Sequence, residues 1–129
     1  MRNANKYAIQ KTKVAIIGAG FGGLAMAIRL LQSQINDFVI LEKTNDVGGT
    51  WRENQYPGAA CDVQSHMYSL SFAPKTDWSK RYAEADEIFT YIQDITEQYK
   101  LKDYCKFNHE VTHAQFDENR NVWTVEFKD

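Results

Sequence analysis

The stretch Val14-Ala15-Ile16-Ile17-Gly18-Ala19-Gly20-Phe21-Gly22-Gly23 constrains the fold more than any other part of the sequence. A short apolar run ends in spaced glycines, and a helical pattern follows at once. Leu24, Ala27, Ile28 and Leu31 recur at i, i+3, i+4 and i+7 within residues 21–34. A second apolar run, residues 37–43, reads as another strand. Nearly continuous apolar strands are expected where a parallel sheet is covered on both faces. Strand, helix and strand in this order make a βαβ unit with a right-handed crossover.

In such a unit each glycine has a task. Gly18 allows the tight turn from strand to helix, Gly20 lets a pyrophosphate approach the backbone, and Gly23 lets the helix pack close to the strand. The helix start offers unpaired N–H groups and the positive end of its dipole to phosphates. The glycine pattern alone is weak evidence. Its test is an acid at the end of the second strand, roughly 20 residues on. Glu42 stands there, 24 residues after Gly18 and directly after Phe38-Val39-Ile40-Leu41. An acid suits a free ribose 2′-hydroxyl, as in NAD or FAD, rather than the 2′-phosphate of NADP. The competing reading is an α/β domain that is merely glycine-rich at one turn. It is disfavoured because strand context, glycines and acid agree.

The remainder fits one domain, residues 13–129, after a polar tail at 1–12. Residues 44–80 lack a clear element, and loops of this length are usually functional or disordered. Trp51, Tyr56, Tyr68 and Phe72 argue against disorder. Residues 83–100 form an amphipathic helix pattern, with Ile88, Ile92, Ile95 and Tyr99 on one face and acids in the first turn. Residues 106–111 are expected to add a third strand. Residues 111–116 and 122–127 flank a turn-forming segment and read as a hairpin, with Trp123, Val125 and Phe127 on one face.

The net charge of −2, with no basic block, argues against nucleic acid or an anionic membrane as the main partner. The polar start has no apolar core of a signal peptide, and no run is long enough to span a bilayer, so a cytoplasmic location is expected. Cys61 and Cys105 have neither C-x-x-C nor zinc spacing, which favours buried, reduced thiols. His66, His109 and His113 have no metal or carboxylate–His spacing and read as surface or loop residues; no metal site is expected.

Residues 47–72 carry a second, denser pattern. The sequence G-G-T-W-x-x-N-x-Y-P-G-x-x-C-D, then S-x-x-Y-x-x-S-F, is met at Gly48, Gly49, Thr50, Trp51, Asn54, Tyr56, Pro57, Gly58, Cys61, Asp62, Ser65, Tyr68, Ser71 and Phe72. This closely resembles the N-terminal FAD-binding part of the Baeyer–Villiger and related class B flavin monooxygenases, and the likeness extends over about residues 12–129. The resemblance implies a Rossmann-like three-layer FAD/NAD(P)-binding α/β domain, with a parallel sheet and part of a β-meander. It implies FAD laid across the first βαβ unit, with Gly18, Gly20 and Gly23 at the pyrophosphate and Glu42 at the ribose. Gly49, Thr50 and Trp51 would approach the flavin, with Asp62 and Tyr68 near the isoalloxazine. The backbone of Val111, at the end of the third strand, would face the adenine. Ala60, Cys61 and Asp62 would border the nicotinamide of NADP, and Asp62 is the one candidate for a catalytic role.

The residues by themselves leave plainer readings open. A flat, apolar isoalloxazine must be covered and tuned by its protein, and an aromatic loop with glycines and one isolated acid suits that task. Yet Trp51 and Tyr68 also fit as core aromatics, and Asp62 as a turn or cap residue. Cys61 reads as a small buried residue rather than a nucleophile, because no histidine is evident beside it.

The family continues with a second glycine fingerprint for NADP and an F-x-G-x-x-x-H-x-x-x-W/P motif, neither found in these 129 residues. The expectation is therefore a truncated FAD-binding fragment, inactive alone, of an NADPH- and oxygen-dependent monooxygenase. The complete enzyme would insert oxygen beside a ketone carbonyl or oxidise a heteroatom. An exposed sheet edge would favour a homo-oligomer. Two alternatives stand beside it: a dinucleotide-binding or assembly module without turnover, and a fragment of an N-hydroxylating flavin monooxygenase. The dense cluster at 48–72 speaks against the latter.

Overall fold

A computed structural model describes residues 9–129. Of the tail expected at 1–12, residues 1–8 lie outside that range, and residues 9–12 carry no regular element. Strand β1 (Val14–Ile17) leads through the glycine turn into helix α1 (Phe21–Gln32), which returns to strand β2 (Phe38–Leu41). The two strands pair in parallel, Val14 opposite Phe38 and Ile17 opposite Leu41. Leu24, Ala27 and Ile28 are fully buried, as the helical period requires, and pack in one core with Ile16, Phe38 and Ile40. Ser33 closes the helix by giving its N–H to the carbonyls of Arg29 and Leu30.

Helix α2 (Thr50–Glu53) is a single turn inside the long connection. Helix α3 (Ala85–Gln98) follows, with Ile88, Ile92 and Ile95 buried and Tyr99 half-buried. Tyr91 and Thr96 join the buried face. Thr96 tolerates burial because its hydroxyl donates to the Ile92 carbonyl at 2.7 Å.

The third parallel strand, β3 (Cys105–Lys106), is shorter than the 106–111 read from the sequence. Asn108 takes a left-handed φ of 57° and turns the chain out of the sheet. The turn is fastened from outside: Asn108 N–H donates to the Thr44 carbonyl and His109 N–H to the Glu42 carbonyl, each at 2.9 Å. Val111 therefore belongs to the hairpin of β4 (Glu110–Asp117) and β5 (Val122–Lys128), opposite Phe127, and not to the parallel sheet. The hairpin turn is held by Asp117, whose carboxylate accepts the N–H groups of Asn119 and Arg120 and the Arg120 side chain.

The parallel sheet runs in the order β1-β2-β3, apart from the hairpin. This corrects one expectation. Strand β1 is not covered on both faces among the described residues: Ile16 is buried, but Ala15 is exposed and Ile17 is 60% exposed. The reason is position. β1 is an edge of the described sheet, and α1 covers only the face that carries Ile16. No described helix is long and apolar enough to cross a membrane.

Candidate functional site

The glycine turn joins β1 to α1. Gly18 adopts φ +92°, a left-handed conformation costly for any other residue, and its N–H extends the sheet ladder to the Leu41 carbonyl at 2.8 Å. A Cβ on Gly23 would lie 1.9 Å from the Gly18 carbonyl oxygen and 3.3 Å from Ile16 Cγ2. The close helix–strand approach expected of Gly23 is thus present. Gly20 is the N-cap of α1, and no side chain caps the helix there; its first turn also carries no acid. The N-terminal N–H groups and the positive dipole end are left for another acceptor.

Glu42 emerges from β2 beside this turn and is only 5% exposed. Its Oε2 accepts the Ala19 N–H at 2.7 Å. Its Oε1 accepts the Thr44 N–H at 2.9 Å and lies 3.0 Å from Thr44 Oγ1. The acid is therefore held in one orientation by the same turn whose glycines made it worth seeking. The second glycine motif packs against the first. Gly48 N–H donates to the Ala19 carbonyl at 2.9 Å, so both polar groups of Ala19 are engaged, one by each element. A Cβ on Gly49 would approach the Gly20 Cα to 3.0 Å. Gly18, Gly20, Gly23, Glu42 and Gly49 thus form one cluster.

The aromatic segment is tied to that cluster through Phe21, the first residue of α1. The Phe21 and Tyr68 rings meet edge to face, with centroids 5.4 Å apart. Trp51 meets Tyr68 in the same manner at 5.9 Å, and its indole N–H donates to the Tyr68 hydroxyl at 3.2 Å. Both rings are partly buried against the core, so the plain packing role coexists with a place beside the glycine cluster. Thr50 starts α2 and is exposed, and its carbonyl accepts the Asn54 N–H.

Ala60, Cys61 and Asp62 are fastened elsewhere. Ala60 bridges to Glu84, and Cys61 N–H donates to the Ala83 carbonyl at 2.9 Å, at the start of α3. Cys61 is a free, buried thiol whose sulfur accepts the Val63 N–H. Asp62 is exposed and has no hydrogen-bonding partner among the described residues. Nothing in these bonds connects the three residues to the glycine cluster. Val111 follows the turn that Thr44 and Glu42 fasten, two residues after His109.

Three supporting residues were not singled out from the sequence. Thr44 braces Glu42. Phe21 links the helix start to the aromatic loop. Tyr91 accepts the Leu70 N–H at 3.0 Å and donates to the Ala73 carbonyl at 2.6 Å, tying that loop to α3; burial raises its phenol above the ordinary range. Tyr91 could have been found by its helical spacing from Ile88 and Ile95. Burial first, and the Glu42 charge second, push the Cys105 thiol up to about 11.

A family model, the NAD(P)-binding Rossmann-like domain, matches residues 16–85, more than half of the chain. The chain belongs to that family. This Rossmann-like domain is 48% identical over 116 residues to a Baeyer–Villiger monooxygenase of Pseudomonas aeruginosa, covering 90% of the chain and 22% of the relative. It is 43% identical over 117 residues to a Baeyer–Villiger monooxygenase of Streptomyces coelicolor, covering 91% and 22%. Among solved structures, an oxidised steroid monooxygenase bound to NADP superposes with a TM-score of 0.84 at 38% identity, over 90% of this chain and 23% of that one. OTEMO in complex with FAD and NADP does so with a TM-score of 0.84 at 30% identity, over 92% and 23%. The resemblance to Baeyer–Villiger-type monooxygenases and the Rossmann-like α/β fold are both borne out. The domain spans about a fifth of the length of the curated relatives it matches.

Proposed function

We propose that this domain binds the adenosine diphosphate part of FAD, with the pyrophosphate at Gly18–Gly23 and the N-terminus of α1 and the ribose at Glu42. The observation that carries the reading is the Glu42 carboxylate fixed 2.7 Å from the Ala19 N–H, inside the glycine turn itself. An uncapped helix start offers donors to phosphate, and a buried carboxylate offers acceptors to ribose hydroxyls. The residues present therefore fit the group in charge and in hydrogen-bonding sense. Gly49, Thr50, Trp51 and Tyr68 are assigned to the flavin side, where the Trp51–Tyr68 pair gives a rigid apolar wall. Asp62 and the Ala60–Cys61 segment are assigned to the border of the flavin and an NADP nicotinamide, and Val111 to the adenine side.

A bound flavin would supply the redox chemistry, with NADPH as the reductant and oxygen as the co-substrate. The part played by these residues is to bind, orient and keep water from it. The relatives' names support a wider reading for any longer protein that carries this domain. We assign it NADPH- and oxygen-dependent oxygenation of a ketone or of a heteroatom compound.

The test is calorimetric titration of the purified chain with FAD, ADP and 2′-phospho-ADP. Saturable binding of FAD and ADP, with weaker binding of the 2′-phosphate, is the expected result. Failure to bind any of them, or a preference for the 2′-phosphate, would sink the reading.

A further inference from the structure

We propose that Thr44 is a positioning residue that sets the Glu42 carboxylate for a ribose cis-diol, its hydroxyl proton passing between Glu42 and the Asp46 carbonyl. This rests on the reading of the glycine cluster as an adenine-dinucleotide site.

The inference comes from counting donors against acceptors. A carboxylate offers about four lone-pair positions. Three protein donors meet that of Glu42: the Ala19 N–H on Oε2, and the Thr44 N–H and Oγ1–H on Oε1. A ribose diol brings two further donors, so one position too few remains while the Thr44 hydroxyl points at Glu42. A hydroxyl has a single proton. Thr44 Oγ1 lies 3.0 Å from Glu42 Oε1 and equally 3.0 Å from the Asp46 carbonyl oxygen. Rotation of that one O–H releases a lone pair on Glu42 without leaving the threonine hydroxyl unpaired.

The surroundings limit the adjustment to that rotation. The Thr44 carbonyl accepts the Asn108 N–H at 2.9 Å, so the backbone at 44 is clamped. Asp46 is held through its own carboxylate, which accepts the Val47 N–H at 2.8 Å and pairs with Lys102 at 3.1 Å. The Thr44 N–H stays on Oε1 throughout and keeps the carboxylate plane fixed. Thr44 thus acts through Glu42 and needs no contact with the ligand.

The test titrates the full chain with ADP and with 2′-deoxy-ADP, in wild type, Thr44→Val, Thr44→Ser, Glu42→Ala and the double variant Glu42→Ala/Thr44→Val. Far-UV circular dichroism checks that each is folded. Thr44→Val removes the competing donor, leaves two lone-pair positions of Glu42 free for the diol, and should tighten ADP binding severalfold. 2′-Deoxy-ADP brings one donor fewer and should bind as to wild type, so that the preference for the ribose grows. Thr44→Ser should return both affinity and preference to the wild-type level. With the carboxylate gone in Glu42→Ala, Thr44→Val should change nothing further. Weaker ADP binding in Thr44→Val, equal changes for both ligands, a serine variant that behaves like valine, or full additivity in the double variant would overturn the inference and leave Thr44 a plain structural residue. A wild-type chain that binds neither ADP nor FAD would overturn the functional reading, and this inference with it.

Discussion

The Ala19 N–H donates to Glu42 Oε2 at 2.7 Å, between two residues 23 positions apart and both buried. This bond makes the binding acid part of the glycine turn's own structure. Removing the carboxylate therefore has two consequences. Glu42→Ala leaves the Ala19 N–H without its acceptor and should cost about 1–3 kcal/mol of folding stability. It should also weaken FAD or ADP binding by about 1–3 kcal/mol. Glu42→Gln keeps an acceptor oxygen and should recover most of the stability, but less of the binding. Urea unfolding and ADP titration on the same samples separate the two effects.

Adjacent glycines in the turn should respond in opposite directions. Gly23→Ala places a methyl 1.9 Å from the Gly18 carbonyl oxygen, a backbone atom that cannot swing away. The helix must shift, at the roughly 1–3 kcal/mol typical of overpacking. Gly22→Ala meets nothing within 4 Å and lies on the exposed side of α1. There alanine should be neutral or stabilising by up to about 1 kcal/mol, the usual helix preference over glycine. Thermal melts of the two variants give the comparison. Equal behaviour would show that Gly23 does not set the helix–strand distance.

The βαβ unit was legible because its signals are local and periodic: Leu24, Ala27 and Ile28 mark one helix face, and Glu42 ends an unbroken apolar strand. The third strand was misjudged because its end depends on a tertiary clamp. Asn108 bonds to Thr44 and His109 to Glu42, more than sixty residues away, and no pattern within residues 106–111 announces that. The same limit hid Thr44, whose role follows from the distance of its hydroxyl to Glu42 and not from spacing. Ile17 shows the converse case. Its apolar character is right for a strand covered on both faces, but its burial depends on which neighbours β1 has, and that is a matter of topology.

The hairpin should make the isolated chain associate. Trp123 is 64% exposed and Phe116 41%, and their rings lie 5.4 Å apart on one face that continues to Val125 and Phe127. An apolar stripe of this kind, beside strand edges that are unpaired among the described residues, seeks cover. Sedimentation across a wide concentration range should show dimers or larger species, and Trp123→Lys should shift the population toward monomer. A monomer at all concentrations would mean that the hairpin tolerates water.

Cys105 gives the clearest pH dependence. Its thiol is raised from an ordinary 9.0 to about 11, by burial first and then by the Glu42 charge, with Lys102 opposing. The folded chain thus holds the neutral thiol more tightly than the unfolded chain does. The stability this contributes is fully present below pH 9 and is lost as pH rises from about 9 to about 11. Urea midpoints of wild type and Cys105→Ala, compared at pH 8, 10 and 11, isolate the effect from other titrating groups. The wild type should lose more stability than the variant over that interval. At pH 8 the Cys105 thiol should also react slowly with iodoacetamide in the folded chain, because the thiolate is the reacting form. Glu42→Gln removes one of the charges that raise the thiol and should speed that reaction. If Cys105 reacts as fast as an unfolded thiol in wild type, the burial that raises it is not maintained in solution. If it is slow but indifferent to Glu42→Gln, burial alone accounts for the shift.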